Sequence, residues 1–191
     1  MALYIKELYM LKRVCFVGHR NIGYGPIKER LENAIKQEIE NGCRFFTMGT
    51  HGEFDSIVLG ICKQLRNTFK DIEIEVVLTS LQTIKQQVVE DEFDKEIYVP
   101  YSDVKTIMYE IEEEHYKRQI TISNRKMIDT CDTIICYVDK NKSPSGAKTA
   151  MNYAKKKGLT IVNLYHEEDN PTFGMTKELK GEYWENMFKK I

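Results

Sequence analysis

Long apolar runs are missing from this 191-residue chain. No stretch approaches eighteen consecutive apolar residues, so no helix is expected to span a membrane. An excess of one charge is missing too. The 28 Lys and Arg stand against 29 Asp and Glu, a formal charge of −1. That balance disfavours a nucleic-acid partner, which normally calls for a strong basic excess. No C-x-x-C pair occurs, and the five cysteines (Cys15, Cys43, Cys62, Cys131 and Cys136) are odd in number. They read as reduced, buried thiols rather than a disulfide or metal framework. No two of the four histidines (His19, His51, His115 and His166) lie at i, i+3 or i+4, so local spacing supports no metal site. The first residues, Met1 to Glu7, place an acid where a secretory signal would be basic. These absences together predict a cytoplasmic protein.

The composition that is present, 42% apolar and 30% charged, is that of an ordinary globule. The length suits one domain over residues 1–191, burying roughly 70% of the unfolded chain's surface. Five short β-rich runs appear: Arg13–Val17, Arg44–Met48, Glu73–Leu78, Thr133–Val138 and Thr160–Leu164. Most are nearly continuous in apolar character, as strands covered on both faces are. Helical periods lie between them. One is Ile27, Leu31, Ala34, Ile35 and Ile39, opened by Pro26 and closed by Gly42. Another is Phe54, Ile57, Val58, Ile61 and Leu65; a third covers Asn124 to Cys131, and a fourth runs from Gly146 to Lys157. Alternation at this spacing predicts an α/β, doubly wound, mainly parallel five-stranded sheet with helices on both faces.

Two segments break the rhythm. An acidic insert occupies about residues 81–118: Glu90–Arg118 holds ten acids against four bases, leaving the rest of the chain at +5. Ile107, Tyr109, Ile111 and Tyr116 there suggest a partly packed helix. The insert is either solvated or a lid over a ligand, and Tyr98, Tyr101, Tyr109 and Tyr116 either stack on a base or pack the insert itself. A C-terminal extension at about 166–191 carries Leu179, Tyr183, Met187 and Ile191 at i+4 steps, a stripe for docking on the chain's own core or for a homo-oligomer face.

In an open α/β sheet, ligands bind outside the carboxyl ends of the strands. After the first strand comes Gly18-His19-Arg20-Asn21-Ile22-Gly23-Tyr24-Gly25-Pro26. Its glycines admit close backbone approach, and Arg20 offers a bidentate phosphate contact or a partner for a protein carboxylate. After the second comes Gly49-Thr50-His51-Gly52-Glu53-Phe54-Asp55. Here Asp55 or Glu53 either accepts ribose hydroxyls or supports the helix N-terminus. After the fourth comes Ser143-Pro144-Ser145-Gly146-Ala147, again at a helix start. None of these is G-x-G-x-x-G or a P-loop. Three small-residue turns on one edge point to an anion site for a small-molecule, nucleotide-type ligand, with no metal and no further cofactor called for.

These same residues carry a resemblance. Gly18-His19-Arg20, the Gly49-x-x-Gly52-x-x-Asp55 turn, Ser123-Asn124-Arg125 leading to Cys131-Asp132-Thr133, and the Ser143–Gly146 loop resemble the YpsA-like branch of the SLOG superfamily. The likeness covers roughly Lys12 to Tyr165. It implies a Rossmann-like fold and a sensor site for a nucleotide-derived ligand of the ADP-ribose or NAD type. Related proteins are linked to cell division, stress, mobile elements and phage conflict in bacteria. The ligand-binding set it implies is Gly18, His19, Arg20, Asn21, Gly49, Thr50, Gly52, Asp55, Asn124, Arg125, Ser143, Ser145 and Gly146. The superfamily also holds LOG-type phosphoribohydrolases and the DNA-processing protein DprA. The phosphoribohydrolase signature P-G-G-x-G-T-x-x-E is absent here, since Lys148-Thr149-Ala150 follows Gly146. An enzyme cleaving an N-glycosidic bond, of phosphoribohydrolase or deoxyribosyltransferase type, is the rival expectation; Glu53 and Asp55 would supply its carboxylates.

Overall fold

In the computed structural model the described residues are 12–22, 26–79, 87–90, 95–98, 101–111, 115–170, 175 and 178–181. Seven residues, Lys12–Gly18, form β1, whose apolar centre is buried on both faces: Val14 and Phe16 point to one side, Cys15 and Val17 to the other. Helix α1 (Ile27–Glu40) starts directly after Pro26 and ends at Asn41, with Gly42 at φ +90 turning the chain back. Then follow β2 (Cys43–Met48), α2 (Glu53–Arg66) and β3 (Glu73–Leu78). The short strands β4 (Gln87–Glu90) and β5 (Lys95–Tyr98) pair antiparallel with each other, outside the main sheet. After them come β6 (Lys105–Met108), α3 (Tyr116–Ile128), β7 (Thr133–Tyr137), α4 (Gly146–Lys157) and β8 (Thr160–Asn163). Gly158 ends α4 at φ +81, a left-handed cap that glycine adopts without a Cβ clash.

The main sheet runs β6-β3-β2-β1-β7-β8, and every pairing is parallel. Leu31 and Ile35 of α1 and Phe54 and Val58 of α2 pack on the Val14, Phe16, Phe46 and Val76 face. Met127 and Ile128 of α3 and Ala147, Ala150 and Ala154 of α4 pack on the Cys15, Val17, Ile134 and Cys136 face. The α/β, Rossmann-like expectation is therefore met, with a sixth strand in place of the expected five. That strand, β6, comes from the acidic insert, where an i, i+4 pair (Ile107, Ile111) suggests a helix. Pairing with β3, in the register Val76 to Thr106 and Leu78 to Met108, overrides the local pattern. Tyr116 opens α3, which begins eight residues before the expected Asn124. Of the C-terminal stripe, Leu179 is exposed, whereas Tyr183, Met187 and Ile191 lie outside the described residues.

Four cysteines are buried and Cys131 is half-buried; all five are free thiols. Burial pushes the Cys43 and Cys136 thiols up to about 12. Cys131 moves the other way, held down chiefly by its hydrogen bond with the Cys15 thiol, with the Thr130 contact and the Arg13 charge adding to it. The one fully buried carboxylate of the sheet, Glu75, is met by Arg13, by Lys105 at 2.8 Å and by the Thr47 hydroxyl at 2.8 Å. No described helix is long and apolar enough to cross a membrane.

Candidate functional site

Strand order reverses at β1, which has β2 on one side and β7 on the other. The carboxyl ends of β1 and β7 therefore flank the crevice where doubly wound sheets take ligands. The segment after β1 is clamped to the turn after β2. Glu53 N donates to Arg20 O at 2.8 Å, Ile22 N to the Glu53 carboxylate at 2.9 Å, and Arg20 Nε to His51 O at 3.2 Å. Glycine is what permits this approach. A Cβ on Gly52 would lie 2.8 Å from Arg20 Cα, and one on Gly18 would lie 2.3 Å from the Phe54 ring.

The clamp borders a cavity of about 220 Å³. Phe16, Val17 and Gly18 of β1 and Ile120 of α3 supply its apolar wall, and Arg20 stands at its edge. From the second turn, Gly49, His51, Gly52 and Asp55 face it, and Gly146 and Ala147 bring the start of α4. Two helix N-termini, those of α2 and α4, thus open on one void, each with its partial positive charge, although Glu53 N and Lys148 N are already taken by Arg20 O and Ser145 Oγ. No residue of α1 lines it. Asn124 of α3 also faces the void, and its amide has no hydrogen-bonding partner among the described residues.

Three titrating groups set the electrostatics. Asp55, in the first turn of α2, accepts from His51 N at 2.9 Å, and a Cβ on Gly49 would sit 3.2 Å from its Oδ2. Burial pushes its carboxyl up to about 6 in spite of the His51 and Gly52 backbone donors. Burial and the Arg20 guanidinium both hold His51 below its ordinary value, so it is neutral at pH 7. Its ring meets Tyr116 edge-on at 5.9 Å, with the Tyr116 hydroxyl 3.4 Å from Nδ1, while Nε2 is buried without a hydrogen bond. His19 is also held low, by burial first and by Lys142 second. It is not part of this cavity's wall. Instead Asp139 N donates to its Nε2 at 2.8 Å, and its Nδ1 lies 3.4 Å from Ser145 Oγ, which accepts from Lys148 N as the cap of α4.

Of the residues expected from sequence, Gly18, Arg20, Gly49, Gly52, Asp55, Asn124 and Gly146 meet at the larger cavity. Arg125 lines a smaller one beside it, which Asn124 and Gly146 share. His19, Asn21, Thr50, Ser143 and Ser145 line neither, nor does Glu53, whose carboxylate is engaged by the Ile22 amide. The expected set left out Phe16, Val17, His51, Ile120 and Ala147, which also line the larger cavity. Ile120 carries no local signal, being an ordinary apolar residue of α3 brought in by helix packing. Among the described residues no group of three or more His, Cys, Asp and Glu could hold a metal.

The sequence profile of a family described as the YspA SLOG family matches residues 9–168, and the chain belongs to that family. A comparison with curated proteins finds no match.

Proposed function

We propose that this member of the YspA SLOG family binds or senses a nucleotide-derived ligand of the ADP-ribose or NAD type. One observation carries the reading. The N-termini of α2 and α4, the Arg20 side chain and the unpartnered Asn124 amide converge on a single cavity at the switch point of the sheet. Backbone N–H groups and a guanidinium suit a phosphate, the amide suits a group that both donates and accepts, and Asp55 suits ribose hydroxyls. Tyr116, half exposed beside His51, covers the base. The free thiols agree with work in a reducing cytoplasm. Thermal unfolding of the full chain with ADP-ribose, NAD, cyclic nucleotides and nucleoside monophosphates tests the reading. One of them raises Tm, and Arg20→Ala or Asn124→Ala removes the rise. No shift with any of them, or shifts that survive both substitutions, overturns it.

Asp55 favours a second reading, cleavage of an N-glycosidic bond. A carboxyl titrating at about 6 inside a ligand cavity is suited to exchange protons near neutrality. It is the one carboxylate among the residues lining this cavity, since Glu53 is turned to Ile22. Base release from a nucleotide panel, lost in Asp55→Asn, supports catalysis; binding without release leaves the sensor reading.

A further inference from the structure

The larger cavity has a neighbour across Asn124. Between α3 and α4 lies a second hollow of about 90 Å³, and Ile120, Asn124 and Gly146 belong to the walls of both. At Gly146 the shared wall is bare backbone, with no atom within 4 Å of where a Cβ would stand. Alone, the larger lobe falls short of the roughly 300 Å³ at which small-molecule sites begin. With its neighbour it reaches that size.

The chemistry of the second lobe differs from the first. Arg125 stacks its guanidinium 5.4 Å from the Tyr153 ring centroid, and Lys157 approaches the same ring at 5.3 Å. Asp129, an acid beside them, already accepts from the Tyr153 hydroxyl and pairs with Lys157 at 2.7 Å. Arg125 makes no ion pair among the described residues. A planar fork held against an aromatic face, with no carboxylate of its own, recognises an anionic oxygen group. Thr121 and Thr149 spend their hydroxyl protons on Lys117 O and Ser145 O, so toward the hollow they can only accept.

We infer that the site is two-lobed and selects a ligand with two phosphoryl groups in a row, such as a diphosphate-bridged nucleotide, over a nucleoside monophosphate. This rests on the nucleotide reading above. The first phosphoryl sits at the starts of α2 and α4, the bridge crosses the bare backbone of Gly146 beside the Asn124 amide, and the second group reaches Arg125. Anything shorter leaves the second lobe unused.

Titration calorimetry of the full chain with AMP and with ADP-ribose, which share the adenosine half, tests this. ADP-ribose is expected to bind at least tenfold tighter. Two substitutions at exposed helix positions probe the second lobe: Arg125→Gln removes its charge, and Thr149→Phe fills it. Each is expected to weaken ADP-ribose about tenfold and to leave AMP within twofold, with circular dichroism unchanged. Equal affinities for the two ligands, or equal losses for both in either variant, overturn the two-lobed site while the nucleotide reading stands. Binding of neither ligand overturns both.

Discussion

Two glycines at this site should respond oppositely to the same added methyl. In Gly18→Ala the new Cβ would stand 2.3, 2.4 and 2.7 Å from three atoms of Phe54. Carbon atoms settle at about 3.5–4.0 Å, so the ring must retreat by more than about 1 Å. It has nowhere to go. Phe54 is fully buried and stacks on Tyr137 at 6.2 Å, so the first turn of α2 has to move with it. Overpacking of this kind costs about 1–3 kcal/mol, which for a chain of this length lowers Tm by about 2–12 °C. In Gly146→Ala the Cβ meets nothing within 4 Å, and alanine is the better helix former, so Tm holds or rises slightly. That same Cβ enters the space both lobes share, so ADP-ribose affinity falls. Differential scanning calorimetry without ligand and titration calorimetry with it separate the two effects. A Gly18→Ala protein melting within a degree of wild type would refute the packing argument. An unchanged affinity in Gly146→Ala would remove Gly146 from the ligand's path.

Asp55 and the histidines pull stability in opposite directions with pH. Because burial raises the Asp55 carboxyl to about 6, the folded chain holds that proton more tightly than the unfolded one, and stability is lost as pH rises from about 4 to 6. His19 and His51 are held low, so their neutral forms favour the fold above the ordinary value near 6.5, and stability is lost as pH falls below it. Asp55→Asn removes the offsetting term, and its Tm should drop more steeply than wild type between pH 6.5 and 5; parallel profiles would refute the assignment. Among the described residues Cys131 is the half-exposed thiol with lowered proton affinity, so iodoacetamide should label it before the other four, as peptide mapping at partial labelling would show. First labelling at Cys62 or Cys136 would contradict the burial.

Five strands were legible because most of them are nearly continuous apolar runs between turn residues. The sixth was not. Lys105–Met108 has four residues, stands at the edge with β3 as its partner in the sheet, and exposes Lys105, Thr106 and Met108. A pattern of burial cannot announce a strand that is hardly buried. The early start of α3 was hidden for a different reason. Its cap is His115, whose Nδ1 accepts from Lys117 N at 3.4 Å, in place of the usual Ser, Thr, Asp or Asn, and its first turn holds no acid. The wall that α3 gives to both cavities was therefore invisible, although Asn124 itself was not.

The motif residues divide by what they do physically. His19 accepts the Asp139 amide at Nε2, so its single proton sits on Nδ1 and faces Ser145 Oγ. Ser145 in turn caps α4 through Lys148 N. A neutral imidazole thus fixes the N-terminus of α4 against the end of β1, and Glu53 fixes the neighbouring segment through Ile22. Gly18 and Gly52 let these pieces approach within contact. None of these five needs to touch a ligand in order to be required. Arg20, Asp55, Asn124 and Gly146 face the void, and Gly18 and Gly52 both line it and hold it open. Sequence alone cannot separate the two sets, because a glycine that admits a phosphate and one that admits a phenylalanine ring look the same. The balance of 28 bases and 29 acids fits this division. An anion site made of backbone and one or two guanidinium groups needs no basic surface.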